Sequence, residues 1–192
     1  MRPLVAPVFK GLFAALLAAL AASCASSAPD RSPALDLPAR NAWIVDRQGR
    51  AVGQAQITEA PGGVLIRLEF SQGASHPGWR GLHLHARGDC SDFAAGFQAA
   101  GPHLGAGAHG LRNPAGPEAG DLPNIYAGAS AFGAEFFSPF VTLHSAAIGA
   151  RAPLLDADGT ALIIHAGPDD HESQPIGGAG ERVACAAFTP LP

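Results

Sequence analysis

Residues 64–70 of this chain read Val64-Leu65-Ile66-Arg67-Leu68-Glu69-Phe70, directly after the glycine pair Gly62-Gly63. Large apolar side chains at the even positions alternate there with Leu, Arg and Glu, which is the period of two expected of a half-buried β-strand. Two more strand candidates precede this stretch, one at Ala42–Val45 and one at Ala51–Ala60. Short strands joined by tight turns at about ten-residue spacing predict an antiparallel sandwich or barrel.

The rest of the chain carries the same short-strand signal, and no stretch has a convincing helical period. Two long connections rich in Gly and Pro, Arg87–Tyr126 and Ala166–Glu181, interrupt the strand candidates. Loops of this length without regular structure are usually functional. We therefore predict an all-β domain with two long functional loops. Its later strand candidates are Leu82–Ala86, Ala131–Phe137, Phe140–Leu143, Ala161–His165 and Arg182–Phe188.

Composition limits the class of protein. The chain has 192 residues, of which 47% are hydrophobic and 15% charged, so it is long enough for one domain with a packed core. Its 24 glycines and 17 prolines favour turns over a long helical bundle. The net charge is −4, and no stretch of the sequence is rich in Lys or Arg, which argues against a general nucleic-acid binder.

The beginning of the chain has the pattern of an export signal. Arg2 and Lys10 are followed by a run of 12 apolar or small residues at positions 11–22. Because a membrane-spanning helix needs about 20 such residues, we interpret residues 1–24 as a signal peptide. Residues 21–24, Ala-Ala-Ser-Cys, form a degenerate lipobox and predict a lipidated Cys24.

An ordinary signal-peptidase site at Ser26-Ser27-Ala28 is the alternative to lipidation. Residues 25–38 contain several Pro, Ser and Ala and show no periodicity, so we predict a flexible tether that leads to a domain over residues 39–190.

The cysteine count agrees with export. Once Cys24 is lipidated or removed, Cys90 and Cys185 remain as an even pair, which suits an oxidising compartment. Removal of residues 1–24 also removes Arg2 and Lys10, which leaves 10 basic and 16 acidic residues and a charge of −6. Because Lys10 is the only lysine, every side-chain cation of the exported domain is an arginine.

Histidine is the residue type that points to chemistry. His83 and His85 lie in one strand candidate, so alternation places both imidazoles on one face of the sheet. Two adjacent imidazoles make a half-site for copper or zinc, although such a pair alone is a weak signal. Further ligand-type residues strengthen it and predict a metal site. They are His103, His109 and Asp121 in the first long loop and His165 at the end of a strand candidate.

Six short motifs between about Ala39 and Phe188 resemble those of the copper–zinc superoxide dismutases, in the same order and with compatible spacings. They are Gly81-Leu82-His83-Leu84-His85 with Gly88-Asp89-Cys90, Ala100-Gly101-Pro102-His103, His109-Gly110-Leu111, Gly120-Asp121-Leu122-Pro123-Asn124, Ile164-His165 with Asp169-Asp170, and Gly178-Ala179-Gly180-Glu181-Arg182-Val183-Ala184-Cys185. The exported form is similar to the bacterial, periplasmic type. The resemblance implies an eight-stranded Greek-key β-barrel or sandwich of immunoglobulin-like topology. It also implies a disulfide between Cys90 and Cys185.

The resemblance further implies a role for each matching residue. The implied metal ligands are His83, His85, His103 and His165 for copper, and His103, His109 and Asp121 for zinc, with His103 as the imidazolate between the two ions. Asp169 is implied as the carboxylate that links a copper histidine to a zinc histidine. Arg182 is implied as the cation that draws superoxide to the copper. In the implied cycle Cu(II) oxidises one superoxide to dioxygen, and Cu(I) reduces a second to hydrogen peroxide while the His103 bridge breaks and is protonated.

The zinc half departs from the family pattern. The family has a third zinc histidine three residues before the aspartate, and this chain has Glu118 there. The loop between His103 and His109 is also two residues shorter than usual and lacks the usual His-x-Asn-Pro. Glu118 is a candidate further zinc ligand because carboxylate oxygens bind zinc. Our hypothesis is that zinc binds weakly or not at all.

Three kinds of function remain open. The first is an exported superoxide dismutase that uses copper and zinc, with superoxide as substrate and membrane contact only through a lipid on Cys24. The second is a copper-binding or copper-storage lipoprotein with little turnover, and the third is a structural β-sandwich with vestigial metal residues. The complete copper set argues against the third.

Both a monomer and a homodimer are compatible with the sequence. The remaining histidines, His76, His144 and His171, are expected to be solvated loop residues.

Overall fold

Strands form nearly all of the regular structure in this protein. The structure, a computed structural model, describes residues 38–71 and 77–190, which fall within one unit delimited as Asp36–Pro192. The predicted signal peptide with Cys24, all of the predicted tether except Pro38, and His76 lie outside the described residues. No helix within the described ranges is long and apolar enough to cross a membrane.

Eleven strands and two short 3-10 turns make up the described elements. The strands are β1 (Ala39–Asp46), β2 (Ala51–Ala60), β3 (Gly63–Phe70), β4 (Gly78–Arg80), β5 (Leu82–His85), β6 (Ile125–Ala127), β7 (Phe132–Ser138), β8 (Val141–Thr142), β9 (Ala152–Pro153), β10 (Thr160–His165) and β11 (Arg182–Phe188). The 3-10 turns, Phe93–Ala95 and Gln98–Ala100, lie in the first long loop.

Seven strands form one antiparallel sheet in the order β5-β10-β11-β1-β2-β3-β7. The all-β prediction is confirmed, and the predicted bounds of β2 and β11 match the observed ones. The sequence reasoning missed β4, β6 and β9. β4 pairs with β6 and β8 pairs with β9, so four of the short strands form two small separate sheets instead of extending the large one.

Alternation decides which side chains form the core. In β3 the even positions Val64, Ile66 and Leu68 are fully buried, whereas Arg67 and Glu69 are exposed, as the period of two predicts. Burying each such aliphatic side chain contributes roughly 1.5–3 kcal/mol, so the register of this strand is strongly determined.

The β5 strand is buried on both faces, which is what makes it a platform for a site. Leu82 and Leu84 join the main hydrophobic core. His83 and His85 point away from that core and are also fully buried, because the first long loop covers this face. Strand β5 thus holds two imidazoles in a water-poor environment with their backbone fixed by β10.

A disulfide holds the covering loop in place. Cys90 in the loop is bonded to Cys185 in β11, with their Cα atoms 5.9 Å apart, which confirms the pairing implied by the family resemblance. Phe97 and Ala100 from the same loop pack with Cys185 and with Ile163 of β10 in a second, smaller apolar cluster. This cluster covers the sheet face that carries the two histidines of β5.

The free edge of β5 is paired by backbone from the same loop. The amide of Leu104 donates to the Leu84 carbonyl, and the Leu84 amide donates to the Gly120 carbonyl, both at 2.8 Å. A Cβ on Gly120 would overlap the Leu84 carbonyl oxygen, so only glycine allows this approach. His103 and Asp121, the neighbours of these loop residues, are thereby brought opposite His85 and His83 as isolated β-bridges.

Candidate metal centre

Two overlapping groups of ligand-type side chains lie at the covered face of β5. Within each group, one potential ligand atom from every member lies within 4.8 Å of the others, and all members are buried. The first group is His83, His85, His103 and His165, and the second is His83, His103, His109 and Asp121. Except for Glu118, these are the residues that the sequence analysis assigned as copper and zinc ligands.

Backbone carbonyls orient two of these imidazoles. The Nδ1 atom of His85 lies 2.9 Å from the Gly101 carbonyl oxygen, and that of His165 lies 3.0 Å from the Gly180 carbonyl oxygen. Because a carbonyl oxygen only accepts, Nδ1 carries the proton in both rings. The Nε2 atom of each ring is therefore an acceptor that is free to bind a cation.

Six buried imidazole nitrogens have no hydrogen-bond partner within the described part of the chain, and four of the six belong to the first group. These four are His83 Nδ1, His85 Nε2, His103 Nε2 and His165 Nε2. A buried polar atom without a partner is costly and rare in native proteins. Four nitrogen donors that face one another are also the ligand type that copper and zinc accept, so the residues fit a bound metal.

Asp169 connects the two groups. Its Oδ2 atom accepts from His83 Nε2 at 2.7 Å, and its Oδ1 atom lies 3.2 Å from His109 Nε2. Both rings therefore carry their proton on Nε2 and direct Nδ1 toward the metal-binding groups. Burial alone raises the pKa of Asp169, but the hydrogen bonds from His83, from the His171 amide and from His109 outweigh it and lower that pKa. A Cβ on Gly177 would overlap the Asp169 carboxylate, so glycine is required beside it.

The second group places two acceptor atoms close together. The Oδ2 atom of Asp121 accepts from the amides of Gly110 at 2.7 Å and Glu118 at 2.9 Å, which fixes the carboxylate. The other oxygen, Oδ1, lies 2.6 Å from His109 Nδ1. Because the His109 proton is on the opposite nitrogen, two acceptors face each other there. A cation bound by both atoms satisfies this arrangement.

Glu118 lies beside the second group without belonging to its tight set of ligand atoms. Its Oε2 atom is 3.2 Å from His103 Nδ1, and its side chain is 15% exposed. Burial, and then the charge of Asp121, raise the pKa of Glu118. The carboxylate thus faces the nitrogen of His103 that the first group does not use.

Arg182 lies at the rim of the first group. Its Nη1 atom donates to the Phe97 carbonyl at 2.7 Å, and its Nη2 atom donates to the Gly101 carbonyl at 2.9 Å. The Gly101 oxygen is also the partner of His85 Nδ1, so one carbonyl connects Arg182 to a metal-facing imidazole. Burial lowers the pKa of Arg182, but the pKa of an arginine is so high that the guanidinium stays charged at neutral pH.

Three imidazoles of the first group, those of His85, His103 and His165, resist protonation in the absence of metal. Burial, followed by the positive charges around each ring, lowers the pKa to about 3 for His85, about 2 for His103 and about 4 for His165. A metal that binds these atoms thus meets neutral ligands across the neutral pH range.

These lowered pKa values predict acid sensitivity of the metal-free protein. The unfolded chain takes up protons at these imidazoles below pH 6.5, whereas the folded chain does so only below about pH 4 at His165 and still lower at His85. The unfolded state therefore binds more protons in this window, so the free energy of unfolding decreases as the pH is lowered. We expect the Tm of the metal-free protein, followed by circular dichroism, to decrease as the pH is lowered from 6.5 to 4.

His165→Ala should make this dependence of Tm on pH less steep, whereas His144→Ala, at an exposed position, should leave it unchanged. A Tm that is constant or rises on acidification contradicts the prediction.

Sequence reasoning missed several residues that hold the site together. His171 was expected to be a solvated loop residue, but its side chain is 17% exposed and contacts Asp169. The side chain of Gln174 donates to the His109 carbonyl and accepts from its amide, at 2.8 and 3.0 Å. The carbonyl of Phe97 accepts a hydrogen bond from Arg182. The short spacing between Asp169 and His171 was the one feature of the sequence that could have indicated this contact. No local sequence pattern identifies Gln174 or Phe97 as part of the site.

Comparison with known proteins agrees with this site. The family described as copper/zinc superoxide dismutase (SODC) matches residues 51–188. A protein of Caulobacter vibrioides named Superoxide dismutase [Cu-Zn] is 49% identical over 144 residues, which cover 73% of this chain and 79% of that protein. Superoxide dismutase [Cu-Zn] 2 of Aquifex aeolicus is 38% identical over 77% of this chain and 85% of its own length.

Solved structures give the same result for the fold. A superoxide dismutase-like protein from Bacillus subtilis superposes with a TM-score of 0.70 and 31% identity, covering 79% of this chain and 98% of that chain. Cu/Zn superoxide dismutase from Brucella abortus superposes with a TM-score of 0.58 and 26% identity, covering 78% and 99%. The chain, with its two groups of buried ligands around one shared strand, belongs to the copper/zinc superoxide dismutase family.

Proposed function

We propose that this protein is an exported antioxidant enzyme that dismutates superoxide to dioxygen and hydrogen peroxide at a histidine-ligated copper centre. The observation that carries the proposal is the set of four buried imidazole nitrogens without partners at the covered face of β5. A purely structural β-sandwich would be destabilised by such a set, because a buried nitrogen without a hydrogen-bond partner or a bound cation lowers the stability of the fold. The family uses copper and zinc as cofactors.

The proposed copper ligands are the four histidines of the first group, His83, His85, His103 and His165. When bound there, copper supplies a one-electron couple that takes an electron from one superoxide and gives one to a second. Imidazole nitrogens suit both oxidation states of copper. Asp169, Gly101 and Gly180 keep the ring protons on the far nitrogens, so the ligand atoms are oriented before the metal arrives.

His103 has a second proposed role. Its Nε2 atom belongs to the copper group, whereas Nδ1 faces Glu118 and the zinc group. The residue is thus shared by both groups and can hold a proton at Nε2 when that atom is not bound to metal. Peroxide formation consumes two protons per two superoxide anions, and His103 can deliver one of them.

Arg182 is proposed to attract and hold the substrate. A guanidinium beside the copper group concentrates a small anion and can donate to it. Two arginines of the first long loop, Arg87 and Arg112, are less suited to this role. Arg112 forms an ion pair with Glu172 at 2.9 Å, and Arg87 donates to the Ala99 carbonyl.

The proposed zinc ligands are His103, His109 and Asp121, with Glu118 as a candidate further ligand. Glu118 adds a negative charge to a buried site that already contains Asp121, where burial and the charge of Asp121 disfavour its charged form and raise its pKa. We therefore propose that zinc is held weakly.

A substitution at Glu118 tests the weak zinc site. We expect mild dialysis to remove zinc from the wild type while copper stays bound. Glu118→His should bring the ratio of zinc to chain near one and tighten zinc binding at least about 10-fold, since it replaces a carboxylate by a neutral nitrogen ligand. The measurement is metal content after dialysis, with Glu172→His, at an exposed position of the second long loop, as the matched control. A wild type that retains one zinc per chain contradicts the weak-site version.

Export completes the proposal. The basic and apolar pattern of residues 1–24 supports a signal peptide, and the pairing of Cys90 with Cys185 supports an oxidising compartment. We propose a periplasmic location, with attachment to the membrane through a lipid on Cys24. Mass spectrometry of the mature protein distinguishes a lipidated Cys24 from cleavage after Ala28.

The decisive experiment is the decay of superoxide with the copper-loaded domain, measured with and without added zinc. Fast decay that metal-free protein lacks supports the enzyme, and its dependence on zinc shows whether Glu118 completes a working site. Tight copper binding with little turnover under both conditions overturns the proposal.

That second outcome corresponds to a copper-binding or copper-storage lipoprotein. Two observations keep it as the alternative. Glu118 alters the zinc half of the site, and a Bacillus subtilis relative that is 35% identical over 76% of this chain is named only superoxide dismutase-like.

A further inference from the structure

Phe97, whose carbonyl holds Arg182, has an uncommon backbone conformation. Its φ is +57°, in the left-handed region, and its side chain is fully buried. A bulky residue adopts this conformation only where the surrounding contacts hold it there. Because the Phe97 carbonyl accepts from Arg182 Nη1 at 2.7 Å, the contacts that hold this backbone also determine where the guanidinium lies.

Asp92 makes hydrogen bonds on both sides of Phe97 along the chain. Its backbone carbonyl accepts from the Ala95 amide at 2.8 Å and from the Phe97 amide at 3.3 Å. The Oδ2 atom of its carboxylate accepts from the Ala99 amide at 3.0 Å. The segment before Phe97 and the segment after it are therefore bonded to one residue, which closes the chain into a compact turn around the Phe97 carbonyl.

The charge of Asp92 also acts on Arg182. Burial lowers the pKa of Arg182, and the negative charge of Asp92 acts in the opposite direction. The second carboxylate oxygen of Asp92, Oδ1, is buried and accepts no hydrogen bond within the part of the chain that the structure describes. A buried carboxylate oxygen without a partner is costly, and the nearby guanidinium offsets part of that cost. Asp92 and Arg182 are thus linked by charge as well as through the Phe97 carbonyl.

We propose that Asp92 is a positioning residue for Arg182: by bonding the chain on both sides of Phe97, it holds the Phe97 carbonyl where the guanidinium can donate to it. The inference rests on the proposed function, because it assumes that Arg182 holds a small anion beside the copper. Without the carboxylate, the Ala99 amide loses its acceptor and Phe97 can leave the left-handed conformation. Arg182 then keeps its bond to the Gly101 carbonyl but is no longer held at two points.

Two substitutions at Asp92 separate its hydrogen bond from its charge. Asp92→Asn keeps an oxygen that can accept from the Ala99 amide and removes the charge. Asp92→Ala removes both the acceptor and the charge. Loss of a negative charge near the site favours an anion, so a role through charge alone predicts tighter anion binding in both variants. A positioning role predicts weaker anion binding in the Ala variant and not in the Asn variant.

The test is a titration of the copper-loaded protein with azide, a small univalent anion, followed by the visible absorption of the copper. We expect Asp92→Ala to bind azide about fivefold more weakly than the wild type, the order of one lost hydrogen bond. Asp92→Asn should bind azide at least as tightly as the wild type. Asp89→Ala is the matched control, because Asp89 is exposed in the same loop and accepts from the Ser91 amide at 2.9 Å. It loses the same charge and a similar bond and should not weaken azide binding, whereas Arg182→Ala should weaken it most.

Two results overturn the inference. One is azide binding by Asp92→Ala that is as tight as in the wild type or tighter, which assigns Asp92 a role through charge alone. The other is equally weak binding in the Asn and Ala variants, which shows that the accepting oxygen does not matter. Asp92→Leu, close to Asn in size but without an acceptor, replaces the Ala variant if that variant does not fold. A copper-loaded wild type that binds azide but does not accelerate superoxide decay overturns the proposed function instead, and the azide comparison still decides the role of Asp92.

Discussion

Replacement of His103 with alanine is expected to abolish superoxide dismutation and to weaken the binding of both metals. His103 is a member of both groups of ligand atoms, so its loss removes one donor from each. Residues that only orient a ligand typically change metal affinity 10–100-fold, and removal of a shared ligand should therefore cost more than about 100-fold. Isothermal titration with copper and then zinc measures the affinities, and superoxide decay measures turnover.

The matched control for His103→Ala is His144→Ala, which removes an exposed histidine outside both groups. It should leave metal content and turnover unchanged. Near-ultraviolet circular dichroism of the metal-free variants verifies that the barrel and its disulfide are intact. Turnover of His103→Ala within about threefold of the wild type, set against the loss of more than 100-fold expected above, argues against the assignment of this residue.

Replacement of Arg182 is expected to have the second-largest effect, and two variants separate its charge from its hydrogen bonds. Arg182→Ala removes both, and we expect it to lower the rate about 10-fold at low ionic strength, the lower end of the range for electrostatic attraction of a charged substrate. Arg182→Lys keeps the charge but cannot reproduce the two bonds to the Phe97 and Gly101 carbonyls. It should keep the dependence on salt while losing part of the rate.

The dependence of the rate on ionic strength is the measurement that distinguishes these roles. Salt screens charges over about 8–10 Å, so the deficit of Arg182→Ala should shrink as salt rises. Arg67→Ala is the control, because it makes the same change in net charge on the outer face of the sheet, where Arg67 pairs with Glu135. An unchanged rate and salt dependence in Arg182→Ala is incompatible with the proposed attraction of superoxide.

The strand pattern of the sequence predicted the framework of the site well. The strand candidates at 51–60, 64–70 and 182–188 match β2, β3 and β11, and alternation placed His83 and His85 together on the face of β5 opposite the core. The all-β class and the disulfide between Cys90 and Cys185 are confirmed. These features depend on local periodicity, or on motifs whose order along the chain is specific enough to identify a family.

One of the eight predicted strands lies outside the large sheet, for a physical reason. The large sheet has seven strands, and the segment predicted at Phe140–Leu143 forms the two-residue strand β8, which pairs with β9. A buried carboxylate, Glu59 of β2, accepts from the amide of Leu143 and from Arg151 on either side of this small sheet. Such contacts join parts of the chain that are far apart in sequence, so no local sequence pattern predicts them.

The sequence alone predicted the side chains that this protein offers to a metal: four histidines for one group, and His103, His109 and Asp121 for the other. Which atom of each ring is free depends on contacts that form only in the folded chain. Asp169 orients His83 from 86 positions away along the chain, and it draws on Asn124 and His171 from two different loops to do so. Periodicity reports on neighbours in sequence, whereas the proton on an imidazole is set by whichever acceptor the folded chain brings to its other nitrogen.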